Sequence, residues 1–409
     1  MYITENKLLK WALYSNAIYI VLFFLFKPDG ISIQKIAISS FLLFSVIGIL
    51  FLCYKNRKRL LDISKTTRIL FYALIFWGLV VIVRSFSLSI QDWVTNFGNV
   101  YMALAWLTPA TLILGLKIEN WKIVLQAIAF MFTLMIIAFL FLPFLELYDE
   151  WIWLLRPISL LLLIGVFRFK TIGRVKAYLI VIIYIIVSTL QERRMEFLYL
   201  AMIFGFLLLD KLFEIKLKKS FIKYIITSFL ILFTVIFTIG YEFVSNIVAS
   251  FIDFQDSRTF LFTELAQELN NIEKVIGRGS LGTYYSHYFE HTKWYTVEIL
   301  KHEWWGDSAT RITTEVGYLQ MILKGGYIML GLNLIFYLYS SYVAIFKSNS
   351  KFIKRLGYFI LIFTILSLIE LRPTFTPIFF ILWMAIGTVL NKKYRDMDDH
   401  EIEPLITIK

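Results

Sequence analysis

The chain has 409 residues, of which 59% are hydrophobic and 17% charged, and its formal net charge is +12. Apolar runs of 17–25 residues recur along it, which excludes an ordinary soluble domain and requires lipid as a partner. The positive charge does not point to nucleic acid, because much of it lies in short loops between apolar runs, where membrane topology accounts for it.

Backbone groups in lipid must be satisfied within each segment, so runs of this length predict helices. The expected fold is all-α: a polytopic transmembrane helical bundle of about twelve spans with one large extracytoplasmic loop. The predicted spans are 9–26, 33–54, 69–86, 97–116, 123–145, 151–167, 175–190, 196–213, 221–240, 315–346, 353–369 and 373–391. They group into an N-terminal bundle over 1–240, a loop with short helices over 241–313, C-terminal membrane helices over 314–391 and a tail over 392–409.

The start of the chain is polar and lysine-bearing, with no small-residue cleavage site after the first apolar run, so that run reads as a retained helix. Pro28, Asp29 and Gly30 form a turn signal before the second run, which holds the single cysteine, Cys53, with no partner for an internal disulfide. Loop 55–68 carries Lys55, Arg57, Lys58, Arg59, Lys65 and Arg68, and the positive-inside rule places it in the cytoplasm. Twelve helices with both termini cytoplasmic then put the other basic clusters, including Lys392, Lys393 and Arg395 of the tail, on the same side. Pro109 and Pro143 fall in or near apolar runs, where ordinary helix irregularity explains them. Segments 353–369 and 373–391 are short, flank Glu370, Leu371, Arg372 and Pro373, and read equally as a re-entrant pair.

Several arginines break the charge rule. Arg84 lies near the outer end of the third span, Arg193 and Arg194 between the seventh and eighth, and Arg372 in the last outer turn, while Arg258 and Arg311 frame the large loop. Guanidinium groups offer planar donors suited to phosphate oxygens. Charges at helix ends that face a protein interior are costly enough to suggest a purpose, and the set suggests an outward-facing cavity for a pyrophosphate. The structural alternative is that these arginines snorkel or pair with Glu192, Glu196 and Glu370.

Within 241–313, Asp256 or Ser257 is placed to cap an amphipathic helix carrying Phe260, Leu261, Leu265 and Leu269. Gly277, Arg278, Gly279, Ser280, Leu281 and Gly282 follow; a turn that needs glycines is favoured over amides facing a phosphate. Tyr284, Tyr285, Tyr288, Trp294, Trp304 and Trp305 suit either sugar stacking or interfacial anchoring. His287, His291 and His302 lack metal-ligand spacing, so no metal site is expected.

Glu315, followed by Tyr318, Leu319 and the pair Gly325 and Gly326, enters the membrane just after the loop. Preceded by Asp256, Ser257, Arg258 and a Gly-x-Gly stretch, and with Gln191, Glu192, Arg193 and Arg194 before an earlier helix, this pattern resembles the bacterial O-antigen polymerase and ligase superfamily. The likeness covers helix order over most of the chain, with motif agreement over 189–200 and 256–331. It implies a glycosyltransferase of the bacterial cytoplasmic membrane that joins undecaprenyl-pyrophosphate-linked glycan donor and acceptor at the outer face. Membrane lipids, a chain-length regulator and a repeat-unit flippase are the implied partners, with no nucleic acid. Where the ligase pattern commonly has histidine this chain has Glu315, which favours the polymerase over the ligase. On that reading Arg84, Arg193, Arg194, Arg258, Arg311 and Arg372 bind pyrophosphate, with Arg258 and Arg311 also catalytic. Glu315, or in reserve Asp256, accepts the acceptor's proton. Tyr284, Tyr288, Trp294, Trp304 and Trp305 are the glycan-binding candidates, and neither metal nor cofactor is called for. A flippase or transporter for a lipid-linked glycan is the alternative from another class, marked by paired broken helices.

Overall fold

The computed structural model describes residues 4–26, 33–86, 89–140, 152–164, 175, 178–179, 181–186, 194–214, 257–299 and 309–407. It is an all-α membrane protein, with five helical segments long and apolar enough to cross a bilayer among the described residues: Ile33–Lys55, Lys65–Val83, Asp92–Gly115, Asn120–Ile137 and Gly317–Phe346. Met195–Leu208 and Pro377–Leu390 are shorter apolar helices. The chain divides into two compact units, one of Met1–Ile203, Leu269–Thr283 and Ile312–Lys409, the other of Phe204–Glu268 and Tyr284–Arg311. The interval expected as a single loop is therefore shared, since residues 269–283 belong with the larger unit.

In the larger unit, α1 (Glu5–Phe26) and α2 (Ile33–Lys55) pack together, and a 3-10 turn at Arg57–Asp62 leads to α3 (Lys65–Val83). Ser64 begins α3 by accepting from the Thr67 amide. The expected span 97–116 is not one helix. It comprises the end of α4 (Ile90–Gly98), a turn, a 3-10 helix at Ala103–Thr111 and the short α5 (Leu112–Gly115). Three local causes act together. The Asn99 side chain accepts from the Tyr101 amide, 2.9 Å away, turning the backbone. Thr108 and Thr111 donate to carbonyls three residues back, and Pro109 brings no amide proton to an α-helical ladder.

Next come α6 (Asn120–Leu140), α7 (Ile152–Ile164) and α8 (Arg194–Glu214), the last shared between the two units. In the smaller unit, α9 (Ser257–Glu268) buries Leu261 and Leu265 as the helical spacing predicts. Two-residue strands β1 (Tyr284–Tyr285) and β2 (Thr310–Arg311) pair antiparallel, Tyr284 opposite Arg311. Back in the larger unit, α10 (Asn271–Ile276) starts on a capping box in which Asn270 and Glu273 satisfy each other's amides.

The end of the chain forms the packed centre of that unit. Long α12 (Gly317–Phe346) is followed by α13 (Lys351–Leu366) and α14 (Pro377–Leu390); α11 (His287–Trp294) precedes them in the smaller unit. Every residue of α14 is buried, the signature of a helix enclosed by other helices. Its Thr388 bonds the Gly115 carbonyl at 2.6 Å and receives the Trp121 indole proton at 2.8 Å. Helices α15 (Lys392–Asp396) and α16 (Asp399–Ile406) fold back, with Asp399 accepting from Ser350 and from the Lys351 amide at the start of α13.

Candidate functional site

One buried charge in the larger unit is hidden by hydropathy. Arg156, on α7, is 7% exposed, and its guanidinium bridges two carboxylates. Nε and Nη2 reach Glu196 Oε1 at 3.0 and 2.7 Å, and Nη2 reaches Glu370 Oε1 at 2.6 Å. Glu196, on the first turn of α8, is 1% exposed and also accepts from the Tyr184 hydroxyl on its other oxygen. Arg156, Met195, Glu196, Tyr199, Phe363, Leu366, Leu371 and Ile378 line a pocket with room for about one water. One cation therefore joins two anions from separate segments. Burial makes each partner dependent on the others, since charges taken out of water are stable only when paired.

Glu370 belongs to the turn between α13 and α14, and that turn is fixed from several directions. Its carbonyl accepts from the Gly317 amide at 3.0 Å, and Leu371, with φ of 63°, bridges Val316 in antiparallel fashion. Next to it Arg372 stacks at 3.8 Å over the Tyr101 ring and donates to Thr313 Oγ1 at 3.1 Å. Thr314 and Val316, on either side of Glu315, are held by Gln320 and by the Thr314 hydroxyl. The structure thus brings the chain at Glu315 beside Arg372, a proximity that 57 positions of separation conceal. Because Arg156 takes Glu370, Arg372 has no carboxylate within ion-pair distance among the described residues.

The glycine stretch 277–282 is a turn, as favoured from its sequence, and its amides do not face an anion. Arg278, Gly279 and Ser280 donate them to the carbonyls of Leu323, Lys324 and Val81, while Leu281 donates to Ser85 Oγ. The turn seats where α12 breaks at Gly326, whose φ of 67° and ψ of −170° interrupt the helix. Fully buried Lys324 donates from Nζ to the Gly282 carbonyl at 2.8 Å. Arg84 is engaged here too: Nη1 and Nη2 take the carbonyls of Ile276 and Gly277 at 2.6 and 2.9 Å. This guanidinium caps the end of α10 through both terminal nitrogens.

Within the turn, hydrogen bonds from the Arg278 guanidinium hold the Glu273 carboxyl below its ordinary range. A depressed folded pKa means this contribution is present above the ordinary value of 4.5 and is lost as pH falls through the lowered one. Proteolysis of 270–283 is accordingly expected to accelerate on acidification below pH 4.5, and Glu273→Gln to remove that step by making the turn labile at every pH. A cleavage rate flat with pH in the natural chain would contradict this.

In the smaller unit, Glu264 accepts from Ser286 Oγ and from the Tyr288 amide, both at 2.6 Å, anchoring the first turn of α11. Arg311 lies 3.6 Å over the Phe289 ring. Tyr284, a glycan-binding candidate, is only 1% exposed and packs in the core of this unit. Tyr288 is half-buried, and Trp294, at 51% exposure, keeps an open face. His287 and His291 lie on α11, and no group of three potential metal ligands occurs among the described residues. Arg194 opens α8 and Arg258 lies in the first turn of α9. Arg193, Asp256, His302, Trp304 and Trp305 lie outside the described residues.

Sequence reasoning missed Arg156 and assigned no role to Lys324. The available signal was a lone cation within an apolar run, which membrane energetics marks as costly. No family model, curated protein or solved structure matches the chain.

Proposed function

We propose that this protein is a polytopic membrane glycosyltransferase that polymerises undecaprenyl-pyrophosphate-linked repeat units into an O-antigen or related surface polysaccharide. The observation that carries the anion-binding part is Arg372, whose guanidinium is braced on Tyr101 and Thr313 and has no carboxylate partner among the described residues. The polysaccharide itself comes from the motif resemblance. On this reading the chain crosses the bacterial cytoplasmic membrane about twelve times, with both termini cytoplasmic and Arg372 at the outer face.

The acceptor hydroxyl oxygen attacks the donor's anomeric carbon, and the carbon–oxygen bond to pyrophosphate breaks. The lipid pyrophosphate leaves with the bonding pair, and the hydroxyl proton passes to Glu315. Arg372, with Arg193 and Arg194, offsets the charge that grows on the leaving group. Purified protein in liposomes with the lipid-linked repeat unit is expected to give a product ladder. Arg372→Ala should reduce its rate by about 100-fold or more, the scale for losing one donor to a developing anion. An unchanged rate in a folded variant would remove Arg372 from the reaction.

The break in α12 favours a second reading, transport, because discontinuous membrane helices commonly line substrate paths. Movement of intact lipid-linked glycan between leaflets, with no ladder, would select it.

A further inference from the structure

Helix α4 has its polarity reversed relative to a soluble surface helix. Ile90, Trp93, Val94 and Phe97 recur at positions one, four, five and eight of the helix and therefore share a face. That face is at least one-third exposed at every position: the four are 78, 44, 44 and 36% exposed. Asn96, by contrast, is 2% exposed and turned into the protein, where its Oδ1 accepts from Ser280 Oγ at 2.7 Å and from the Ala103 amide at 3.1 Å.

Both ends of α4 lie at one level. Its N-terminal end follows directly from the end of α3, where Ser280 bonds the Val81 carbonyl. Its C-terminal end leads into Val100 and Tyr101, which hold Phe375 and Arg372 just before α14 begins. The following segment then runs alongside α14, Thr111 meeting Phe380 and Gly115 meeting Thr388. At 1.5 Å per residue the nine residues of α4 cover roughly 13 Å, far short of a bilayer core. The apolar stretch Asp92–Gly115 thus has the composition of a span, but its first part joins two helix ends on one side.

This face continues an exposed apolar strip on α3. Ile69, Tyr72, Phe76, Leu79 and Val83 are exposed along one side of α3, and Phe86, 47% exposed, extends that strip. The Phe86 ring then meets Trp93 at 4.6 Å, and Trp93 meets Phe97 at 5.6 Å. Aromatic residues at the end of a lipid-facing helix suit the boundary between headgroups and acyl chains. We propose that α4 is an interfacial helix, lying in the plane of the membrane with Ile90, Trp93, Val94 and Phe97 inserted among the lipids. It has no lysine or arginine, so insertion rests on apolar burial and not on anionic headgroups. Through Asn96 and Ser280 it sets the depth of the 277–282 turn relative to the bilayer surface.

The test uses the full chain in phosphatidylcholine liposomes. In a Cys53→Ala background, spin labels are attached to single cysteines replacing Ile90, Val94, Phe97 and, as a control on exposed α10, Ile272. Collisions with oxygen should exceed those with an aqueous nickel chelate severalfold at 90, 94 and 97, with the order reversed at 272 and no change on adding anionic lipid. Nickel-dominated collisions at the three positions would overturn the proposal. Low collision rates with both reagents would also overturn it, indicating cover by another protein surface. Hydroxyl-radical footprinting of the unaltered chain in nanodiscs guards against misfolded variants: Trp93 and Phe97 should be protected severalfold relative to exposed His287. Modification at solvent rates would refute insertion.

Discussion

Replacing Arg156 with methionine is expected to destabilise the protein by about 3–5 kcal/mol, because it leaves buried Glu196 and half-buried Glu370 without their shared cation. The cost comes less from the lost attraction than from the stranded anions. The triple variant Arg156→Met, Glu196→Gln, Glu370→Gln should therefore recover most of the loss, since it removes every charge that burial penalises. Tyr184→Phe should cost less, about 1–3 kcal/mol, because it withdraws one donor from Glu196 while Arg156 remains. Thermal unfolding in detergent measures all three. If Arg156→Met melts with the natural chain, or the triple variant is no better than the single one, the cluster is not the coupled unit described. Activity adds separate information: a stable triple variant with no product ladder would show that the charged cluster also positions the Arg372 turn.

The second large effect is expected at Gly326. A side chain there would have to adopt φ of 67° with ψ of −170°, a region essentially confined to glycine, and its Cβ would fall 2.1 Å from the Val275 carbonyl oxygen. Backbone strain and overpacking each cost about 1–3 kcal/mol, so Gly326→Ala should be among the most damaging single-methyl additions in the chain. The local consequence should precede the global one. Either α12 becomes continuous and ejects α10 with the 277–282 turn, or the whole unit melts at lower temperature. Trypsin cleavage at Lys274 distinguishes these outcomes: ejection predicts rapid cutting below the melting transition. Resistance at Lys274 together with an unchanged melting temperature would refute the steric argument. Gly277 faces the same junction from the other side, with φ of 71° and a virtual Cβ 2.3 Å from the Lys324 carbonyl carbon. The broken helix and the turn are therefore one fitted joint, with glycine on both surfaces.

These two sites differ in how far their sequence announces them. The glycine turn was legible as a turn because closely spaced glycines supply backbone conformations that other residues avoid. Its docking partner was not, since Gly326 lies in an apolar run that reads as an uninterrupted helix. Arg156 was overlooked because a window of hydropathy averages one cation away among leucines and isoleucines. Glu196 and Glu370 were noticed as potential partners, but for the outer arginines. The structure instead assigns both to Arg156, and this leaves Arg372 available for an anion in the proposed reaction.

Sequence by itself determined that the chain is an all-α membrane protein, because long apolar runs must satisfy their own backbone groups and surrender their side chains to lipid or to one another. It also determined the helical register of α9, where Leu261 and Leu265 repeat at the spacing that buries one face. Tertiary structure alone decided which charges meet. Arg156 and Glu370 are 214 positions apart, and no local rule links a cation in one helix to a turn at the far end of the chain. It likewise decided that Arg84 is spent on the carbonyls of Ile276 and Gly277, and that α4 turns its asparagine inward and its aromatic residues outward. Periodicity specifies that a helix has two faces; the surfaces packed around it determine which face the protein keeps.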